Sequence, residues 1–197
     1  MIRLKHLTSI AALVALAACT TLGQTTSLTS RLKASEYNDV AADYLERPTL
    51  VSLQTYSNGN TALVVEMDEY GPGFDAATGT ATEGLYSLRF DAKEVANYVA
   101  VIDKYFEWEK LALERGDMID RKIGSTRAVN VNGDFDIEFS VFSGTATKHN
   151  LVAELCRFGT CSIELHFDRS NAEILRTLLI DFGNGKVSHL DVDGIYR

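Results

Sequence analysis

Leu88-Arg89-Phe90-Asp91 closes an alternating run and opens a helical one, and Leu165-His166-Phe167-Asp168 does the same 77 residues further on. Ahead of the first junction Tyr86, Leu88 and Phe90 alternate with other residues, the period of a half-buried strand. Beyond it, Val95, Tyr98, Val101, Ile102 and Tyr105 recur at helical spacing. Ala172, Leu175, Leu178, Leu179 and Phe182 repeat that stripe after the second junction. Asp91 and Asp168 stand where an N-cap belongs, because a short carboxylate there accepts a first-turn N–H. Asp91 also has Glu94 at capping-box spacing. Gly116 and Gly183-Asn184-Gly185 supply the stops. The pattern predicts helices from Asp91 to about Arg115 and from Asp168 to about Phe182.

Strands fill the space between. Thr49 to Tyr56 and Thr61 to Tyr70 flank Ser57-Asn58-Gly59-Asn60, a hairpin turn because Asn-Gly accepts positive φ cheaply. A weak strand falls near Thr78 to Thr82. Met118 to Val131 meets Phe135 to Phe142 across Asn132-Gly133, and Phe135, Ile137, Phe139 and Val141 alternate with Asp136, Glu138 and Ser140. Leu151 to Phe158 and Cys161 to Phe167 are joined at Gly159-Thr160. Upstream, Leu32, Tyr37, Val40, Ala41, Tyr44 and Leu45 fall largely on one helical face and Pro48 ends the run, which predicts an N-terminal helix over Arg31 to Arg47.

The expected fold is α+β: antiparallel sheets with two long helices, a doubled ββββα unit preceded by one N-terminal helix. A hairpin sheet under one helix buries little by itself, so pseudo-repeats at about 49–115 and 118–183 would share a core within one domain, 31–197. Coincidental Phe-Asp junctions in an ordinary α+β domain are the alternative. The element order resembles the doubled four-strand-plus-helix arrangement of Whirly and PUR-type proteins. That resemblance implies a topology and no activity. Those families bind single-stranded nucleic acid on basic, aromatic sheet faces, whereas this chain carries a formal charge of −8, which repels phosphate backbones. No nucleic-acid partner is expected.

The N-terminus gives an address. Arg3 and Lys5 precede an apolar core, Leu7 to Leu16, which is too short for a membrane span of about 20 residues and has the shape of a secretory signal peptide. Leu16-Ala17-Ala18-Cys19 resembles the lipobox of bacterial lipoproteins. The resemblance implies cleavage of residues 1–18, a diacylglyceryl thioether on Cys19 and, with Thr20 rather than Asp following, residence at the outer membrane facing the periplasm. Cleavage at Ala15-Leu16-Ala17 is the alternative and would leave a soluble periplasmic protein. Residues 19–30, the lipidated cysteine and a small polar run, read as a flexible tether.

The remaining candidates are few. Cys156 and Cys161 flank Arg-Phe-Gly-Thr. A four-residue loop would oppose them directly and suit a disulfide, while a two-residue turn at Gly159-Thr160 makes them diagonal neighbours. C-x₄-C is not a redox motif. His149, His166 and His189 form no ligand-spaced set, and His166 is placed outward by alternation. His189-Leu-Asp191-Val-Asp193-Gly194 lacks the first Asp and closing Glu of a calcium loop, so no metal or cofactor is assigned. No catalytic residue is assigned either, since phosphate-cradling, nucleophile-elbow and S-x-x-K patterns are missing from the sequence. Asp68-Glu69-Tyr70-Gly-Pro-Gly-Phe74-Asp75 sets aromatics between acids in a Gly-rich segment, so Glu69, Tyr70, Phe74 and Asp75 are the candidate recognition loop. The expected role is non-catalytic: an accessory or binding lipoprotein with a protein partner at the cell envelope. A small ligand held between sheet and helices is the alternative, and an unrecognised enzyme a third.

Overall fold

The computed structural model describes residues 22–68, 73–75, 80–82, 85–129 and 135–187. Strands β1 (Leu22–Leu28), β2 (Ala34–Asn38), β3 (Asp43–Arg47), β4 (Thr49–Tyr56), β5 (Thr61–Asp68), β6 (Gly73–Asp75), β7 (Thr80–Thr82) and β8 (Leu85–Asp91) come first. A 3-10 turn at Ala92–Glu94 leads into α1 (Val95–Arg115). Strands β9 (Asp120–Ala128), β10 (Phe135–Thr145), β11 (Lys148–Arg157) and β12 (Thr160–Phe167) then lead into α2 (Arg169–Gly183). Ten strands form one antiparallel sheet in the order β1-β4-β5-β8-β9-β10-β11-β12-β2-β3, with β6 and β7 pairing separately. Four sheet strands and a helix therefore occur twice in succession, the first run interrupted by the β2–β3 hairpin.

The second helix starts as its sequence predicts, whereas Asp91 caps the 3-10 turn and α1 itself begins three residues later than Ala92, at Val95, with Glu94 at its N-cap. Asp91 accepts the Lys93 N–H at 2.9 Å, and Asp168 accepts the Asn171 N–H at 2.8 Å. Gly116 closes α1 at φ +69°, the left-handed conformation that glycine adopts without a Cβ penalty. One continuous core joins the halves. Leu63, Val65, Leu88 and Phe90 from the first meet Ile137, Phe139, Leu151, Leu165 and Phe167 from the second. Tyr98 of α1 sits between them, 5.1 Å from the Phe90 ring and 6.3 Å from Phe139. Its hydroxyl donates to the Arg127 carbonyl, and the Tyr105 hydroxyl donates to the His149 carbonyl at 3.0 Å. Those bonds satisfy polar tips that burial would otherwise penalise. Burial holds both phenols above the usual tyrosine range. Gly124 lets α1 approach β9, since a Cβ there would stand 2.6 Å from Val101 Cγ2. The halves meet sparsely: β8 and β9 share the single pair Phe90↔Ala128, and β8 also lies against β12.

Three expectations are corrected. Residues 31–47 hold no helix: Asn38 accepts the Val40 and Ala41 N–H groups on its side chain, which turns the chain into the β2–β3 hairpin. A side-chain acceptor of this kind competes with helical bonding, and Val40 ends up 97% exposed. The stretch expected as a tether carries β1, which pairs with β4 from Leu22↔Tyr56 to Leu28↔Val51. As an edge strand with β-branched Thr25 and Thr26, it needs little apolar alternation to join a sheet. His166 faces away from the core as its alternation predicts but is buried rather than at the surface, because the β2–β3 hairpin folds over it.

Candidate functional site

The second half-sheet turns Leu165 and Phe167 to the core and presents another set on its opposite face. Register places Glu138 opposite Glu154, and Glu154 opposite Glu164, so three carboxylates stand in one row across β10, β11 and β12. The next row runs Ser140, Val152, His166, and continues to Ser35 of β2. Like charges directly opposite one another destabilise a sheet, so the row needs neutralising. Lys122 Nζ reaches Glu138 Oε2 at 2.6 Å, and His166 Nε2 pairs with Glu164. That hydrogen bond holds the Glu164 carboxyl below the usual range. Glu154, in the middle, has no such partner among the described residues; burial, then the Glu164 and Glu138 charges, raise its pKa.

The hairpin makes the face concave. Tyr44 of β3 lies over His166 with ring centroids 4.2 Å apart and meets Phe142 at 5.8 Å, while Tyr37 backs it at 5.3 Å. Lys148 Nζ to Asp43 Oδ2, at 2.9 Å, ties the hairpin tip to the β10–β11 turn. Two hollows result, and Tyr37 and Tyr44 line both. The smaller, about 420 Å³, holds Glu36, Glu154, Glu164, His166 and Tyr86. The larger, about 1120 Å³, opens toward the start of α2 and holds Asp43, Glu109, Lys148, His149, Arg169 and Glu173. Burial first, then the Glu164 charge, holds the Tyr44 phenol above its ordinary value. In the larger hollow Arg169 pairs with Glu109, which lifts the guanidinium further from deprotonation.

Each hollow contains a histidine that is 4% exposed. An ionised carboxylate can only accept, so His166 Nε2 carries the proton it shares with Glu164, and its Nδ1 has no partner among the described residues. His149 Nδ1 meets Ser143 Oγ at 2.6 Å, and that oxygen also accepts the Ile119 N–H at 2.8 Å. His149 Nε2 is left without a partner among the described residues. Ser143 is itself buried and tied to backbone, an arrangement that orients an imidazole.

Cys156 and Cys161 are brought together as a directly opposed pair and bonded, with Cα atoms 4.0 Å apart. Cys19 lies outside the described residues, as do Glu69, Tyr70, Asp191 and Asp193; Phe74 and Asp75 are described as β6 backbone only. The space between sheet and helices, where a ligand was the alternative expectation, is filled by Tyr98, Tyr105, Phe90 and Phe139. Sequence reasoning missed the carboxylate row and the tyrosines above it. Polar alternation marked Glu138, but pairing Glu154 with Glu164 depends on a bulge between Leu155 and Cys156 that leaves no pattern. No protein-family model, curated protein or solved structure matches the chain. Among the described residues no helix is long and apolar enough to cross a membrane.

Proposed function

We propose that this is a lipid-anchored envelope protein of the outer membrane that binds a protein partner through the hollow face of its second half-sheet. The observation that carries the binding role is the row Glu138–Glu154–Glu164, of which Glu154 and Glu164 line a hollow walled by Tyr37, Tyr44 and Tyr86. Carboxylates with aromatic walls suit a basic group, because the charge is attracted by the acids and the cation by the ring faces. The lipobox resemblance at Leu16 to Cys19 supports the anchor, and the Cys156–Cys161 bond fits an oxidising compartment. The partner is thus an envelope protein presenting Lys or Arg.

Cross-linking of the full-length protein in intact cells tests this. One partner should be recovered in near-equal amount and lost with Glu154→Lys, which puts a cation at the centre of the row while sitting favourably between Glu138 and Glu164. Equal recovery by the variant would sink the assignment of the face. Cys19→Ala should move the protein out of the membrane fraction; continued sedimentation with membranes would remove the anchor. The 69–75 segment is a second contact in this reading, and deletion of residues 71–83 should weaken recovery without unfolding the domain. A small ligand in the larger hollow is the second reading, favoured by a volume at the upper end of ligand sites.

A further inference from the structure

We infer that the protein lies against its membrane in one orientation, with the Phe158 hairpin tip entering the phospholipid interface; this rests on lipidation of Cys19. The first argument is length. Leu22 already belongs to the sheet, so only Thr20 and Thr21 separate it from Cys19. Three residue steps reach at most about 11 Å, and the headgroup zone itself is roughly 6 Å deep, so Leu22, at the β1 corner of that rim of the sheet, stays against the bilayer. Leu22 is 51% exposed.

The second argument is what that rim carries. Register followed across the sheet places the start of β1, the β4–β5 turn, Asp91, Ala128 and Phe135 at the same end as the β11–β12 tip. At that tip Phe158 is 91% exposed and adopts φ +52°, with Gly159 at +80°. An aromatic residue in the left-handed region is an outlier, which points to a use outside the fold. The Cys156–Cys161 bond spans the turn that carries the ring. Arg157 lies 5.1 Å from both the Phe135 and the Phe158 rings, and among the described residues no carboxylate pairs with it. An exposed ring beside an unpaired guanidinium is complementary to acyl chains beneath anionic headgroups.

The test uses the full-length lipidated protein in vesicles of phosphatidylethanolamine and phosphatidylglycerol, with and without brominated acyl chains. Trp108, the one tryptophan, is replaced by Phe. A reporter is then placed by Phe158→Trp or, at the opposite rim, by Thr147→Trp. Emission from position 158 should be blue-shifted and quenched several-fold more than from position 147. Equal or absent quenching at both positions, in protein that floats with the vesicles, overturns the orientation and leaves the anchor standing. A protein whose mass lacks the diacylglyceryl group and that stays off the vesicles overturns both. If the Phe158→Trp protein does not fold, Arg157→Glu replaces it: flotation should persist through the acyl chains while protease access to the tip rises, and unchanged access overturns the orientation.

Discussion

The two halves of the sheet solve the same packing problem and differ in where they depart from local preference. Each has four antiparallel strands, an Asp that caps the first turn after them and a Phe buried at the junction, Phe90 in one and Phe167 in the other. In the first half, local chemistry agrees with the fold. Its β4–β5 turn puts Gly59, not a side chain, at φ +81°, and its second face pairs Ser52 with Val64 and Gln54 with Ala62. The second half breaks both habits: Phe158 takes the left-handed position, and Glu138, Glu154 and Glu164 face one another. Both departures cost stability, and the fold tolerates them because the shared core is complete. These two departures fit the binding role proposed for the second half-sheet, and the other left-handed side chain, Ala42, sits in the β2–β3 hairpin that covers that same half-sheet.

The largest test of this contrast removes the pin. Cys156→Ser with Cys161→Ser should lower unfolding free energy by about 2 kcal/mol, as chain entropy predicts for so short a loop, and denaturant melts of oxidised wild type against the variant measure it. A change near zero would mean that the turn holds itself and the bond is incidental. The two turns should then respond with opposite signs to exchanges at their left-handed positions. Gly59→Ala should destabilise by roughly 1 kcal/mol, since a Cβ there meets nothing within 4 Å and the cost is purely conformational. Phe158→Gly should stabilise by an amount of the same order, about 1 kcal/mol, by relieving the same conformation. Destabilisation by Phe158→Gly would show that the ring supports the fold, and the contrast between halves would be lost.

What could be seen in advance follows the same division. The paired junctions, both helix stops and the Asn58-Gly59 turn were legible because each rests on a local rule obeyed by residues adjacent in sequence. The β2–β3 hairpin was not, since Leu32, Tyr37, Tyr44 and Leu45 match a helical face about as well as two short strands. The Asn38 side chain tips that balance. His166 alternates outward on its own strand and is buried only because a segment 122 residues earlier in the chain, Tyr44, folds over it. The disulfide was legible as one of two registers. The carboxylate row was not, because one extra residue on β12, Ser162 opposite the Leu155–Cys156 step, slides Glu164 into line with Glu154.

The smallest effect is the most diagnostic, because it carries a sign that changes with pH. Glu154 is raised above its ordinary value of 4.5, so ionising it costs the fold. That cost is absent below 4.5 and grows as pH rises through the raised value of the folded state. Glu164 is shifted the opposite way by the His166 hydrogen bond. Its contribution is present above 4.5 and lost as pH falls through the lowered value. Glu154→Gln should therefore stabilise at neutral pH by about 0.2–1 kcal/mol, the size of one like-charge pairing, and give nothing in acid. Glu164→Gln should destabilise at neutral pH and converge on wild type as the medium acidifies. Denaturant melts at neutral pH and at about pH 4 separate the two. Parallel, pH-independent shifts from both substitutions would mean that the row acts through packing. Opposed shifts that shrink in acid would show a sheet holding an uncompensated carboxyl in place, the repulsion that the proposed basic partner would relieve on binding.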